Sequence, residues 1–186
     1  VSLTGLGRTI RRHAVSILQV ATPLFHALVD ECLDDLTSLK AIVSGGEAFS
    51  YAHVRRALEG LPNVRLSLCY GPTENAAITT CYRPRTASEL AETTFVPLGR
   101  PLAGTSVHVL DEQRRPVPVG EVGELYCSGL GLAAGYLHRP DLTAERFVEL
   151  TDEGQGAFRA YRTGDLVRRH ARDALEFIGR VDHQVK

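Results

Sequence analysis

The chain has no methionine and no tryptophan, and of its 21 basic residues only Lys40 and Lys186 are lysines. Methionine is missing even at position 1, where the sequence begins Val1-Ser2-Leu3. Translation starts on methionine, so the expectation is a piece of a longer protein. No apolar run reaches the roughly eighteen residues of a membrane span, and no signal-peptide pattern opens the chain. A cytoplasmic protein with no membrane partner is therefore expected. An excess of either charge is also lacking. The 21 basic and 22 acidic residues leave a formal net charge of −1, which argues against broad electrostatic binding of nucleic acid or anionic lipid. The four cysteines, Cys32, Cys69, Cys81 and Cys127, form no CxxC pair. They are expected as buried free thiols in a reducing compartment, with a disulfide scaffold and a cysteine zinc site both disfavoured. The seven histidines show no HxH or HxxxH spacing, so no histidine metal site is expected.

Apolar side chains are plentiful, at 44% of the chain, enough for a sizeable core. Their pattern changes near residue 97. Before it, the runs Val15–Val20, Ala41–Val43 and Val64–Leu68 read as strands. Between them lie two helical patterns, Leu24 to Leu36 and Val54 to Leu61. Alternation of this kind implies a parallel sheet with helices on its faces. After residue 97 turn residues multiply, and Val107–Leu110, Glu124–Cys127 and Leu175–Ile178 read as short strands. One helix, Asp141 to Phe147, interrupts them, with Pro140 in its first turn. The expected fold is α/β: a layered parallel-sheet subdomain over 1–97, a small distorted β-barrel over 98–178, and the start of a hinge at 179–186.

Five stretches carry residue types suited to chemistry. Ser44-Gly45-Gly46-Glu47-Ala48 joins a strand to a helix. Paired glycines there suit either a tight turn or close approach of backbone to a ligand at the carboxyl end of a parallel strand. Cys69-Tyr70-Gly71-Pro72-Thr73-Glu74 follows the next strand. It sets an aromatic face, a hydroxyl and a hard carboxylate oxygen suited to Mg²⁺ around a Gly-Pro turn, more than a structural turn needs. In Gly123–Tyr136 the glycines at 129, 131 and 135 have the spacing GxGxxxG. No βαβ unit follows, so packing and turning are the better reading than a dinucleotide loop. Tyr161-Arg162-Thr163-Gly164-Asp165-Leu166 places an Asp after a Thr-Gly turn, where it suits a ribose or a local turn about equally. The fifth stretch is Phe177–Lys186.

In order, S-G-G-E-A (44–48), Y-G-P-T-E (70–74), G-E-L-Y with G-L-G-L-A-A-G-Y-L (123–137), Y-R-T-G-D-L (161–166) and G-R-V-D-H-Q-V-K (179–186) form a recognisable set. The chain resembles the adenylate-forming enzymes, and within them the adenylation domains of nonribosomal peptide synthetases. Connecting segments such as V-L-D-E (109–112) and R-P-D-L-T-A-E-R-F (139–147) fit as well. The resemblance implies part of that family's N-terminal core. It implies an activity in which a carboxylate attacks the α-phosphate of ATP, releasing pyrophosphate and leaving an acyl-adenylate. Mg²⁺ and ATP are the implied cofactors. The implied acceptor is the phosphopantetheine thiol of a peptidyl carrier protein domain.

By resemblance, Gly46 and Glu47 border the adenine, and Tyr70 stacks on it. Gly71 and Pro72 belong to the same nucleotide-binding stretch. Thr73 contacts phosphate and Glu74 holds Mg²⁺, which makes these two the implied catalytic pair. Asp165 takes the ribose hydroxyls, Phe177 lies against the nucleotide, Arg180 sits near the ribose, and Asp182 marks the hinge. Val20, Val43, Gly45, Cys69, Ala77 and Ile78 wall the pocket for the amino acid, whose side chain is then expected to be apolar or small and uncharged. The chain departs from the family at Leu68, where Asn is usual, and at Ala134, where Arg is usual. The family's Ser/Thr/Gly-rich phosphate loop and its C-terminal catalytic Lys are expected outside these residues, so the stretch alone is expected to be inactive. Two other functions compete: an acyl- or aryl-CoA ligase of the same superfamily, and a noncatalytic nucleotide-binding module.

Overall fold

The computed structural model of the chain describes residues 2–152, 156–171 and 174–181. They gather into two compact units. The first takes the residues up to Cys69 together with Tyr82–Pro97, and the second takes Tyr70–Cys81 and the residues from Leu98 on.

In the first unit three strands run parallel: β1 (Ile17–Ala21), β2 (Ala41–Gly45) and β3 (Arg65–Tyr70), with β2 in the middle. Ile17 stands beside Ala41 and Ala41 beside Arg65, so the strands start level. Helix α2 (Thr22–Glu31) begins with Pro23 in its first turn, where the missing N–H costs nothing, and buries Phe25, Leu28 and Val29 on one face. Helix α3 (Tyr51–Gly60) does the same with Val54, Ala57 and Leu58. Its N-cap, Ser50, makes no side-chain capping bond. The Ser50 backbone N–H is taken instead by His26 Nε2 at 3.2 Å, and the His26 ring stacks on His53 at 4.3 Å. Two further helices, α1 (Leu3–Arg12) and α4 (Ala87–Ala91), complete the unit. Helix α1 was not expected, because Gly5 and Gly7 weaken the helical signal. Ser2 Oγ caps it by accepting from the Gly5 N–H at 3.1 Å. The core joins Ile10, Phe25, Leu28, Leu36, Ile42, Val54, Leu66 and Leu68. Each such burial contributes about 1.5–3 kcal/mol.

In the second unit β4 (Thr80–Tyr82) pairs antiparallel with β5 (Arg100–Pro101). The main sheet holds β6 (Thr105–Leu110), β7 (Val122–Gly129), β8 (Phe147–Asp152), β9 (Gly156–Arg169) and β10 (Leu175–Arg180), with one helix, α5 (Pro140–Arg146). Strand β9 is the spine. It carries β7 along one side and β8 followed by β10 along the other, all antiparallel. The expected barrel is corrected here. The path β10-β9-β7-β6 leaves β6 and β10 as separate edges, and no pairing between them closes the sheet among the described residues. Short strands punctuated by Gly and Pro are common to barrels and open sheets, so that texture alone does not separate the two. Two buried clusters flank this sheet, one around Leu125 and Val167 and one around Tyr126 and Ala160. All four cysteines are free thiols. Among the described residues no helix is long and apolar enough to cross a membrane.

Candidate functional site

The second unit assembles two groups of polar side chains. The first centres on Asp165 in β9. The Thr-Gly-Asp stretch is not the turn expected of it but a bulge within the strand. Glu124 faces Leu166 and Tyr126 faces Arg162, so residues 163–165 stand against Leu125 alone. Gly164 makes the bulge possible with φ +75, and a Cβ there would lie 2.9 Å from the Arg180 guanidinium. Glu124 fixes the bulge by accepting from Arg162 Nε on both oxygens at 2.9 Å and from the Gly164 N–H at 3.1 Å. Thr163 Oγ1 donates to the Leu125 carbonyl at 2.6 Å and accepts from the Asp165 N–H at 3.0 Å.

This arrangement turns a carboxylate that is only 2% exposed toward two donors. Tyr70 Oη donates to Asp165 Oδ2 at 2.6 Å, and Arg180 Nη1 donates to Oδ1 at 2.7 Å. Burial, and then the Asp165 charge, push the Tyr70 phenol well above its ordinary range, so it stays a protonated donor. Residues 70, 165 and 180, each from a different motif, are thus in direct contact. Phe177 in β10 lies half-buried with its backbone opposite Val167.

The second group centres on Glu74. Its backbone carbonyl accepts from the Ala133 N–H at 2.8 Å, and its Oε1 accepts from Tyr136 Oη at 2.5 Å. Tyr161 Oη lies 3.2 Å from Tyr136 Oη. Burial raises both phenols, with hydrogen bonding next in order, which keeps both protonated. Thr73 beside Glu74 is exposed. Gly71 and Pro72 begin a tight loop that returns at Thr79, whose N–H donates to the Tyr70 carbonyl at 2.8 Å. Asn75, fully buried, braces the loop through Thr79 Oγ1 at 3.0 Å. Ala76 and Ala77 take left-handed conformations, φ +55 and +65, and Ala77 is exposed while Ile78 is half-buried.

The remaining candidates lie in the first unit. Gly46 and Glu47 are exposed after β2, with the Glu47 carbonyl accepting from Thr22 Oγ1 at 3.1 Å. Val43, Gly45 and Cys69 share one face of the parallel sheet. Val20, beside Ser44, points to the opposite face and packs against the core. Leu68 is also in the core, at 2% exposure. Asp182 lies outside the described residues. Tyr136, Tyr161, Thr163 and Glu124 were not singled out from sequence, although each sits inside a motif that was. A cleft of about 720 Å³ elsewhere on the second unit, lined by residues including Arg100, His108 and Arg169, contains none of the expected site residues.

Known proteins resemble the chain in sequence and in fold. The AMP-binding enzyme family matches residues 4–137. A linear gramicidin synthase of Brevibacillus parabrevis is 49% identical over the whole chain, which spans 2% of that protein. Indigoidine synthase of Streptomyces lavendulae is 42% identical over 98% of the chain, which spans 14% of it. Among solved structures, PA1221, described as an NRPS protein containing adenylation and PCP domains, superposes with a TM-score of 0.91 at 38% identity, covering 100% of this chain and 37% of that one. The N-terminal subdomain of Klebsiella oxytoca NpsA in complex with 3-hydroxybenzoyl-AMSN gives 0.85 at 30% identity, covering 97% of this chain and 45% of that one.

Proposed function

The chain belongs to the AMP-binding enzyme family, as a stretch of an adenylation domain of the nonribosomal peptide synthetase type, and from that premise we propose that it forms part of a site where an amino acid and ATP become an aminoacyl-adenylate and pyrophosphate. The contact of Tyr70, Asp165 and Arg180 carries the reading. Three motifs as far apart as residues 70 and 180 meet at one buried carboxylate. Asp165 is the carboxylate assigned here to the ribose hydroxyls, with Tyr70 holding one of its oxygens and Arg180 the other. Tyr70 orients that carboxylate through its hydroxyl and offers its ring to the adenine. Arg180 balances the charge. Within the second unit Phe177 is assigned to the nucleotide and the exposed Thr73 hydroxyl to phosphate, while Gly46 and Glu47 of the first unit are assigned to the adenine by the resemblance alone.

Among the described residues no three His, Cys, Asp or Glu side chains converge as metal ligands. Mg²⁺ commonly binds through one or two carboxylates with phosphates supplying further oxygens, and the half-buried Glu74 carboxylate fits that mode. When bound, the ion neutralises phosphate charge as the carboxylate attacks. Val43, Gly45, Cys69, Ala77 and Ile78 are all uncharged, in keeping with an amino acid whose side chain is apolar or small. Transfer to the phosphopantetheine thiol of a carrier domain would follow.

Amino-acid-dependent pyrophosphate exchange by the complete protein tests this reading, with Asp165→Asn as the diagnostic variant. A hydrogen bond to a charged group is worth about 1.5–3 kcal/mol, so exchange should fall about 10- to 100-fold, mainly through ATP KM. Unchanged ATP dependence would remove Asp165 from the site. Preference for acids without an amino group would favour a CoA ligase, and no exchange with any acid a noncatalytic nucleotide binder.

A further inference from the structure

Glu74 is held at both ends by one loop. Its carbonyl accepts from Ala133 and its carboxylate from Tyr136, three residues further along. That loop is itself fastened. The Tyr136 N–H donates to Thr143 Oγ1 at 2.9 Å, and Arg159 in β9 donates to the Ala133 and Ala134 carbonyls, each at 2.7 Å. The Arg159 guanidinium also lies 4.5 Å over the Phe147 ring, which packs edge-on against Tyr136 at 5.6 Å. Tyr136 has a single hydroxyl proton, and it goes to Glu74. In the contact with Tyr161 the Tyr136 oxygen is therefore the acceptor, and the Tyr161 hydroxyl also stands within hydrogen-bonding reach of Glu74 itself. The two phenols thus converge on Glu74, one seated on strand β9 and the other on the clamped loop. A glutamate beside an exposed threonine would otherwise sample its rotamers freely, and orienting it before a ligand arrives is what such a supporting layer achieves.

We propose that Tyr136 is a positioning residue that holds the Glu74 carboxylate ready for a divalent cation, with Tyr161 and Arg159 holding Tyr136. The inference rests on the adenylation reading, and it assigns Tyr136 no contact with substrate. The test uses the complete protein with Tyr136→Phe, which keeps the ring packing and removes only the donor, and with Arg159→Gln, which loosens the loop. Mn²⁺ binding is titrated by electron paramagnetic resonance in the presence of a non-hydrolysable ATP analogue, and the Mg²⁺ dependence of pyrophosphate exchange is measured separately. Tyr136→Phe should weaken Mn²⁺ binding about tenfold, as expected for one lost bond to a charged acceptor. It should raise the Mg²⁺ concentration for half-maximal exchange by a similar factor, leaving the rate at saturating Mg²⁺ within about twofold of wild type. Arg159→Gln should move both quantities in the same direction by less. Unchanged Mn²⁺ binding in folded Tyr136→Phe overturns the proposal, as does a rate that saturating Mg²⁺ does not restore. If Tyr136→Phe does not fold, unchanged Mn²⁺ binding by Arg159→Gln overturns it instead. A wild-type protein that binds Mn²⁺ with the analogue yet exchanges with no acid removes the adenylation reading, and the Mn²⁺ titration alone then decides the role of Tyr136.

Discussion

At residue 68 the chain carries leucine where the family resemblance leads one to expect asparagine, and the structure gives that leucine a packing role. Leu68 is 2% exposed within the first core. Leu68→Asn would leave a hole and bury an amide, so it should cost about 2–5 kcal/mol, read as a lower denaturant midpoint. A change below about 0.5 kcal/mol would mean that the side chain reaches solvent or a ligand. Ala77 stores strain of the opposite kind, an alanine at φ +65. A left-handed residue with a Cβ costs roughly 1–2 kcal/mol, and glycine gives back part of that gain as extra freedom in the unfolded chain. Ala77→Gly should therefore stabilise by up to about 1 kcal/mol, whereas Ala57→Gly inside helix α3 should destabilise by about that much, both by equilibrium unfolding. The Asp165 and Arg180 pair was legible in sequence because each residue sits in a motif with its own signature. The support of Glu74 by Tyr136 was not, since partners 62 residues apart leave no periodic trace.

Among the elements, helix α3 depends on a histidine for its start. His26 accepts the Ser50 N–H through Nε2, which it can do only while that nitrogen is unprotonated. Burial, and then the nearby His53, lower the His26 pKa, against weaker opposing pulls from Asp30 and Glu47. The folded protein thus takes up this proton less readily than the unfolded chain, where the group titrates near 6.5. The stabilisation is complete above that value and is lost as pH falls through the lowered folded pKa. Between pH 7 and 5 the wild type should lose unfolding free energy by urea denaturation, and His26→Gln should show a shallower loss. Equal slopes would detach α3 from this histidine. Strands β1 to β3 and helices α2 and α3 were readable because apolar periodicity sets them directly. Strand β9 was not, because arginines at 159, 162, 168 and 169 and the bulge at 163–165 interrupt its alternation.

For the molecule as a whole, charge limits what 186 residues can do alone. ATP carries close to four negative charges, and the cation that meets Asp165 at 2.7 Å, Arg180, is already engaged by that carboxylate. The sequence contains no Ser/Thr/Gly-rich loop ending in Pro-Lys-Gly. Losing one oriented donor costs about 10²–10³ in rate. The isolated stretch should show no measurable pyrophosphate exchange while the complete protein does, and exchange by the stretch alone would mean that its own residues suffice. The threading of the chain has a consequence for descent. It passes from one unit to the other at 69/70, 81/82 and 97/98. Gene recombination between two relatives with one crossover between residues 82 and 97 would take Tyr70 and Glu74 from one parent, and Asp165, Arg180 and Tyr136 from the other. Each hydrogen-bonded pair would then join residues that never evolved together. Exchange of the whole second unit needs crossovers that carry the short 70–81 segment along, so this piece should share its ancestry with the distant C-terminal half rather than with its immediate neighbours.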